Sequence, residues 1–187
     1  MTTTINDLKI IFENALATYK NTITELSKDT DNNESLCISN KQYIDYDKLV
    51  ETFYHSDETL SSPDLIYVSD EKIVYVEFKN GSLKKSMEKK TLKLKGIEGG
   101  FIALFNIFKS YKNDVTFDEI QLLKKEYYVV YNSEKNPHSS SRVAGIVSHL
   151  QMQPIRFGLK WYQGNFFSKV ETMSSHRFLE RIDDLLK

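Results

Sequence analysis

The sequence predicts an α+β protein in which a central mixed sheet is flanked by helices. Apolar residues recur at spacings of three and four over residues 5–27 and again over 97–111, which is the pattern of one buried helix face. Two short strand-like runs lie within residues 62–81, and a third, EYYVVY, covers 126–131. Helices and strands that follow one another in this order are typical of helices packed on a sheet.

The remaining segments complete this outline. Residues 36–55 fit either a strand or a short helix, and the sequence leaves both open. The other assignments are a polar loop at 27–35, a loop or frayed helix start at 80–90, a loop at 132–141, a helix at 143–150, a hairpin at 154–173 that turns at Gln163-Gly164-Asn165, and a closing helix capped by Ser174 or Ser175.

The size and composition of the chain exclude several classes of protein. Its 187 residues fit one domain, which we expect to cover 1–187. A single cysteine, Cys37, allows no internal disulfide and argues against a zinc cluster. The first residues contain acidic groups and lack a secretory pattern, and no apolar run approaches the roughly 20 residues of a membrane helix. We therefore expect a soluble, cytoplasmic protein with no membrane partner.

Charge is unevenly distributed although the net charge is −1. Residues 25–71 carry twelve acidic residues against three lysines, whereas residues 82–95 carry six lysines against one glutamate. The basic run is either a solvated helix face or a set of phosphate contacts that positions a nucleic acid. The candidate nucleic-acid contacts are Lys84, Lys85, Lys89, Lys90, Lys93, Lys95 and Arg142. Arg142 belongs to the segment 136–142, which either holds a phosphate or is simply a loop that caps the next helix.

The stretch SPDLIYVSDEKIVYVEFKNG (62–81) predicts a hairpin with charged residues at its open end. A turn at Asp70-Glu71 sets Ile66 opposite Tyr75 and Asp64 opposite Glu77. Residues paired across an antiparallel ladder have Cβ atoms roughly 4.5–5.5 Å apart. Side chains alternate between faces, so Lys79 lies on the same face as Glu77, while Val74, Val76 and Phe78 point to the expected core.

Two neighbouring carboxylates repel each other unless a proton, an amine or a bound cation compensates their charge. Mg²⁺ prefers oxygen ligands and takes only one or two protein carboxylates together with water. Such a cation makes a bound water more acidic and stabilises charge on a phosphate oxygen. A lysine beside it can orient the attacking water. Asp64, Glu77 and Lys79 are therefore sufficient for metal-assisted hydrolysis of a phosphodiester.

At these residues the chain resembles the PD-(D/E)XK nuclease superfamily. The resemblance consists of Pro63-Asp64, a twelve-residue gap and Glu77-Phe78-Lys79, within a similar order of elements. It implies a restriction-endonuclease-like core of α-β-β-β-α-β order over about 5–131, with peripheral elements at 132–187.

The resemblance also implies the roles of individual residues. Asp64 and Glu77 would bind Mg²⁺ or Mn²⁺, the backbone carbonyl of Phe78 would complete the metal site, and Lys79 would be the catalytic lysine. Many members place a glutamate of the first helix near the metal, and Glu13 is the candidate here, with Glu25 behind it. The implied activity is a magnesium-dependent endonuclease, with DNA as the default substrate and phage defence as the first-ranked role.

Other interpretations remain open on the sequence alone. Three further acid-x-Lys triplets occur in the chain, and the hairpin could be a surface element in which Lys79 neutralises Glu77. The chain could also be an inactive nuclease-fold protein that acts as a binding or partner module, or an RNA-cleaving nuclease of the toxin type. Double-strand cleavage would require a homodimer, a partner subunit or two successive events. Gly96, Gly99 and Gly100 favour close helix packing over a phosphate loop.

Overall fold

The computed structural model describes residues 5–30, 32–54, 60–83, 86–137 and 155–187, with the backbone alone at 86–88. A six-stranded mixed sheet forms its centre. The strands are β1 (Lys20–Thr22), β4 (Gln42–Asp45), β5 (Leu65–Val68), β6 (Ile73–Lys79), β7 (Lys125–Tyr131) and β8 (Lys169–Ser174), while β2 (Lys28–Asp29) and β3 (Glu34–Ser35) form a separate two-stranded hairpin.

Helices cover this sheet. They are α1 (Ile5–Asn14), α2 (Ile23–Leu26), α3 (Tyr46–Tyr54), α4 (Ser86–Ile97), α5 (Leu104–Tyr111), α6 (Phe117–Leu122) and α7 (Ser175–Leu185), with a π-helical segment at Glu98–Ala103 that joins α4 to α5. Two short 3₁₀ turns occupy Ala17–Tyr19 and Lys160–Tyr162.

The strand order in the sheet is β1-β4-β5-β6-β7-β8. Each adjacent pair among β1, β4, β5 and β6 is antiparallel, whereas β7 and β8 run parallel to β6. The α4 to α6 segment makes the crossover from β6 to β7, as a parallel connection requires. The prediction of a mixed sheet flanked by helices is confirmed.

Both faces of the sheet are buried. One core contains Tyr75 and Tyr127 of the sheet together with side chains of α1, α3, α4 and α5. The other contains Val76 and Phe78 together with side chains of α2 and α7. The expected alternation along β6 is therefore present, but Tyr75 and Glu77 also lie beneath helices, since a sheet with covered faces buries both sets of side chains.

The predicted helix over residues 5–27 is wrong in its length. Helix α1 ends at Asn14, and the chain enters strand β1 before α2 begins. The Thr22 hydroxyl accepts a hydrogen bond from the backbone N–H of Glu25 at 3.2 Å, which is an N-cap that starts a new helix. Periodic apolar residues continue across this break because α1 and α2 both pack on the sheet.

The segment 36–55, for which the sequence left a strand or a short helix open, contains both, since strand β4 leads directly into helix α3. The loop predicted at 27–35 contains the β2–β3 hairpin. Helix α6 was not anticipated, although its Thr116 and Glu119 form a capping box. The predicted helix at 143–150 lies outside the described residues.

The predicted hairpin at 154–173 is wrong. Gly164 does form a turn, with φ of +81°, but only its C-terminal side is a strand, and that strand pairs in parallel with β7. Aromatic residues on the two sides of the turn pack as a cluster instead, in which Trp161 and Phe166 have ring centroids 5.6 Å apart. The closing helix is confirmed, with Ser174 as its N-cap.

Among the described residues, no helix has the length and apolar character that crossing a membrane requires.

Candidate active site

The register of the β5–β6 hairpin is the one that the sequence predicted. Leu65 pairs with Val76 and Ile66 with Tyr75, and continuing this register by one residue sets Asp64 opposite Glu77. Hydrogen bonds fix Asp64 at both its side chain and its backbone carbonyl. Its Oδ2 accepts a hydrogen bond from the backbone N–H of Phe78 at 2.5 Å, and its carbonyl accepts one from the backbone N–H of Tyr46 at 3.0 Å.

Glu77 is the most unusual residue of the hairpin, because its side chain is a fully buried carboxylate. Its Oε1 lies 2.7 Å from Nζ of Lys79 and 3.0 Å from Nζ of Lys95, which are ion-pair distances. No donor among the described residues makes a well-directed hydrogen bond to either oxygen of Glu77. Because buried carboxylate oxygens are costly to leave unpaired, Oε2 is a position at which a bound cation would be strongly stabilised.

Two lysines from different elements meet at the carboxylates. Lys79 ends β6 and is 28% exposed, so its amine also reaches the solvent side of the site. Lys95 comes from α4, is 15% exposed, and places Nζ 3.5 Å from Oδ1 of Asp64 as well as next to Glu77. The site is thus a charge-balanced quartet of two carboxylates and two amines.

The charges of the quartet shift the pKa values of its members. Burial and the charge of Glu77 raise the pKa of the Asp64 carboxyl to about 7, although both lysines oppose the rise. Burial opposes the charge on Lys95, but Glu77, Asp64 and then Asp47 outweigh it, and the pKa of Lys95 is raised. Lys95 therefore stays protonated at neutral pH, while Asp64 takes up a proton readily.

A tight crossing of backbone segments positions Asp64. At Gly99 an added Cβ would stand 2.6 Å from Cδ of Pro63 and 2.8 Å from Cα of Ser62, so only glycine lets the segment before Asp64 pass so close to the helix. The prediction that Gly99 serves close packing is confirmed.

Two tyrosine hydroxyls donate hydrogen bonds to the π-helical segment Glu98–Ala103. Tyr46 donates a hydrogen bond to the carbonyl of Gly99 at 2.6 Å, and Tyr75 donates one to the carbonyl of Gly100 at 3.0 Å. These bonds satisfy carbonyls within the irregular segment. Such π-helical insertions occur frequently at functional sites, and this one lies just after Lys95.

A cavity of about 360 Å³ opens beside the quartet. Asp64, Phe78 and Lys79 line one side, residues 27–30 line another, and residues 80–83 with Thr91 complete the wall. The lining is rich in hydroxyl and backbone groups and includes the exposed Lys28. The cavity wall therefore carries two lysines, Lys28 and Lys79, and two aspartates, Asp29 and Asp64, and it includes one carboxylate and one lysine of the site.

The loop after Lys79 is fixed by asparagines. Asn136, a buried residue, accepts a hydrogen bond from the backbone N–H of Leu83 at 2.7 Å and donates one to the carbonyl of Gly81 at 2.9 Å. Asn132 donates from its side chain to Asn80 at 2.9 Å. This wall of the cavity consequently has a defined shape.

The structure does not bring Glu13 to the carboxylate pair. Glu13 lies 4.0 Å from Lys9, and Lys9 pairs with Asp70 in the hairpin turn at 2.6 Å. The turn is at the opposite end of β5 and β6 from Asp64 and Glu77, because β6 runs from Ile73 to Lys79. Glu25 is exposed and lies 4.0 Å from Lys28.

The predicted nucleic-acid contacts fall into three groups. Lys95 belongs to the quartet and is not on an open surface. Lys89, Lys90 and Lys93 are carried by α4, and Lys90 is exposed. Lys84, Lys85 and Arg142 lie outside the described residues.

Two residues of the site were not assigned to it from the sequence. Lys95 follows the buried Leu92 by three positions and precedes the buried Gly99 by four. This spacing puts the lysine on the buried face of the helix, and it is the feature of the sequence that could have indicated its role. Asp47, on the first turn of α3, accepts a hydrogen bond from the Ser62 hydroxyl at 2.6 Å. The Asp47 charge acts on Lys95, but no local pattern connects these two residues.

The residues at the end of β6 fit a hard divalent cation. Asp64 and Glu77 would supply carboxylate oxygens, one of them a buried Oε2 without a hydrogen-bond donor among the described residues, and the resemblance implies the backbone carbonyl of Phe78 as a further ligand. Two carboxylates with water suffice for Mg²⁺. Within the described ranges no three acidic, histidine or cysteine side chains group together as metal ligands, so a larger protein cage is not present there.

Comparison of the chain with protein-family models, with curated proteins and with solved structures finds no match.

Proposed function

We propose that the protein is a divalent-metal-dependent nuclease that hydrolyses phosphodiester bonds at the Asp64–Glu77 pair. The observation that carries the proposal is the buried Glu77 carboxylate, which faces Asp64 and two lysines, while Asp64 and Lys79 also line the cavity. A site of this composition satisfies the requirements for phosphoryl transfer, which are a cation position, an amine beside it and room for a phosphate.

Asp64, Glu77 and the carbonyl of Phe78 would hold Mg²⁺ or Mn²⁺. When bound, such a cation makes a coordinated water more acidic and neutralises charge on a phosphate oxygen. Asp64 is kept in place by the hydrogen bonds at its side chain and its carbonyl, and Glu77 by its burial in the sheet. Both carboxylates are thereby preorganised, so little conformational freedom is lost when a cation binds.

Lys79 is the residue that acts on the reacting groups. Its amine contacts Glu77 at 2.7 Å and lines the cavity, so it reaches both the metal ligands and the space that a phosphate would occupy. From this position a lysine orients the attacking water and stabilises negative charge that develops on the phosphoryl oxygens.

The substrate path runs over the cavity. Lys28 at its wall and the exposed Lys90 on α4 provide positive charge, and the hydroxyl and backbone groups of residues 80–83 offer neutral hydrogen bonds. Phosphate contacts of this kind position a nucleic acid without reading its sequence. Lys84, Lys85 and Arg142 remain proposed contacts on sequence grounds, and DNA is the proposed substrate because the resemblance implies it.

The order of the elements also supports the proposal. Apart from β1, α2 and the β2–β3 hairpin before β4, and helix α3 between β4 and β5, helix α1 precedes the antiparallel strands β4, β5 and β6, and the α4 to α6 segment then leads to β7, parallel to β6. This succession agrees with the α-β-β-β-α-β order expected of a restriction-endonuclease-like core. The carboxylates lie at the end of β6, from which α4 departs, so one helix and two strands contribute to the site.

A non-catalytic role is favoured by one specific observation. The two lysines already neutralise the two carboxylates in the absence of a cation, which is how a structural ion-pair cluster in a binding module would be built. The unsatisfied Oε2 of Glu77 argues against this alternative, because a purely structural cluster would be expected to pair it.

A cleavage assay with four substrates distinguishes these functions. Supercoiled plasmid, linear duplex DNA, single-stranded DNA and total RNA are each incubated with Mg²⁺, Mn²⁺ or EDTA, using the wild-type protein and Asp64→Asn. We expect metal-dependent cleavage of at least one substrate, abolished by EDTA and by the substitution. Absence of cleavage together with absence of Mn²⁺ binding would overturn the proposal in favour of the binding module.

A further inference from the structure

The Lys95 amine lies between the two carboxylates of the candidate site. Its Nζ lies 3.0 Å from Oε1 of Glu77 and 3.5 Å from Oδ1 of Asp64, so the amine bridges the carboxylates of two neighbouring strands. A cation shared by these two ligands would have to occupy nearly the same space. Lys79 differs, since it approaches Glu77 from the cavity side.

The net charge of the quartet also indicates that Lys95 and a divalent cation exclude each other. When both carboxylates are ionised, as metal binding requires, they and the two ammonium groups sum to zero, and a divalent cation would leave this largely buried cluster with a charge of +2. Close positive charges in a partly buried site repel each other strongly. Binding of the cation therefore requires that an ammonium group leaves the carboxylates, or that negative charge arrives.

We propose that Lys95 occupies the place of the divalent cation in the metal-free protein, and that it moves from the carboxylates to a phosphate oxygen of the substrate when the cation binds. This inference rests on the proposed nuclease function. It makes Lys95 a second catalytic lysine, and not one of a row of surface contacts.

The local structure permits such an exchange without moving a helix. A lysine ammonium sits on a flexible four-carbon stem and binds phosphate well as a point charge. Thr91 lies one turn before Lys95 on the same side of α4 and lines the cavity, so this face of the helix is already directed at the space that a phosphate would fill. The bridging amine needs only to turn toward the cavity.

The test measures Mn²⁺ binding and cleavage separately. Mn²⁺ affinity is determined by electron paramagnetic resonance without nucleic acid for the wild-type protein, Lys95→Met and Lys95→Arg. Lys124→Met, which replaces an exposed lysine just before the end of β7 that lies opposite to the site, is the control for loss of one positive charge. Lys95→Gln retains a hydrogen-bond donor to the carboxylates and replaces Lys95→Met if that variant does not fold.

We expect Lys95→Met to bind Mn²⁺ about tenfold more tightly than the wild type, since a competing cation is gone. Lys95→Arg and Lys124→Met should stay within about twofold of the wild type. At saturating metal, Lys95→Met should cleave the substrate found in the cleavage assay roughly 100-fold more slowly, because a phosphate contact is lost. A lysine with a purely structural role would instead weaken Mn²⁺ binding and cleavage together.

Equal or weaker Mn²⁺ binding by Lys95→Met, with a wild-type protein that does bind Mn²⁺, would overturn the inference and leave the proposed function intact. Tighter binding with an unchanged cleavage rate would overturn the transfer of Lys95 to phosphate. Failure of the wild-type protein to bind Mn²⁺ would overturn the proposed function, and the inference with it.

Discussion

Pro63 packs against Gly99 so closely that a Cβ on the glycine would stand 2.6 Å from Cδ of the proline. This contact joins the residue before Asp64 to the π-helical segment after Lys95. Any widening of the crossing would move Asp64 relative to both Glu77 and Lys95. The site therefore depends on backbone packing as well as on its charged residues.

Gly99→Ala should lower the free energy of unfolding by about 2 kcal/mol, because the added methyl group meets backbone and ring atoms that cannot retreat. Gly81→Ala is the control, since a Cβ there meets nothing within 4 Å. Urea denaturation of both variants checks the prediction. Equal stability of the two would show that the crossing is not tight.

Glu77→Gln should destabilise the protein by about 3 kcal/mol, because Lys79 and Lys95 lose their shared buried partner. Adding Lys95→Met to this variant should recover part of the loss, since one unpaired amine is removed. A double-mutant cycle by urea denaturation measures the coupling. Simple additivity of the two substitutions would contradict the quartet as an interacting unit.

Mn²⁺ binding should weaken as the pH falls below about 7, the pKa to which burial and Glu77 raise the Asp64 carboxyl. The affinity falls in acid because protons compete with the metal for the same carboxylate. Below that pH, the loss of Mn²⁺ affinity reaches up to about tenfold per pH unit. Calorimetric titrations at several pH values check it. An affinity that is constant between pH 5 and 8 would exclude Asp64 as a ligand.

Glu171 supplies an acid-sensitive part of the stability away from the site. Burial opposes its charge, but hydrogen bonds from Arg181 and Lys169 prevail and lower its pKa below the usual 4.5. A lowered pKa stabilises the fold above pH 4.5, and this contribution disappears as the pH falls through the folded-state value.

Glu171→Gln should therefore cost about 2 kcal/mol at pH 7, as expected for losing charged hydrogen bonds, and less at pH 3. Urea denaturation of the wild-type protein and the variant at both pH values measures the difference. A difference that does not shrink in acid would mean that packing, and not charge, makes Glu171 stabilising.

Local patterns predict the hairpin and its carboxylates well. The alternation along β6 and the short turn define one register, and Asp64 opposite Glu77 follows from counting residues. The closing helix was predictable for the same reason, since Ser174 caps it and its apolar spacing is regular.

The remaining features depend on contacts between distant segments. Lys95 reaches Glu77 from a helix that follows β6 in the chain, and a count of lysines could not reveal which one turns inward. The apolar spacing of residues 5–27 did not show the break at Thr22, because successive helices pack on the same sheet. Strand β8 needs β7 as a neighbour, so the alternation in its sequence could not distinguish a hairpin from a parallel edge strand.

The central claim is that the Asp64–Glu77 pair catalyses phosphodiester hydrolysis, and the most direct measurement is the single-turnover cleavage rate with Mg²⁺. Wild-type protein, Glu77→Gln, Lys79→Met and the surface control Lys124→Met are purified in parallel. We predict metal-dependent cleavage that falls at least roughly 100-fold in both site variants and is unchanged in the control. Cleavage at the wild-type rate by Glu77→Gln, or none by any of the proteins, would contradict the account.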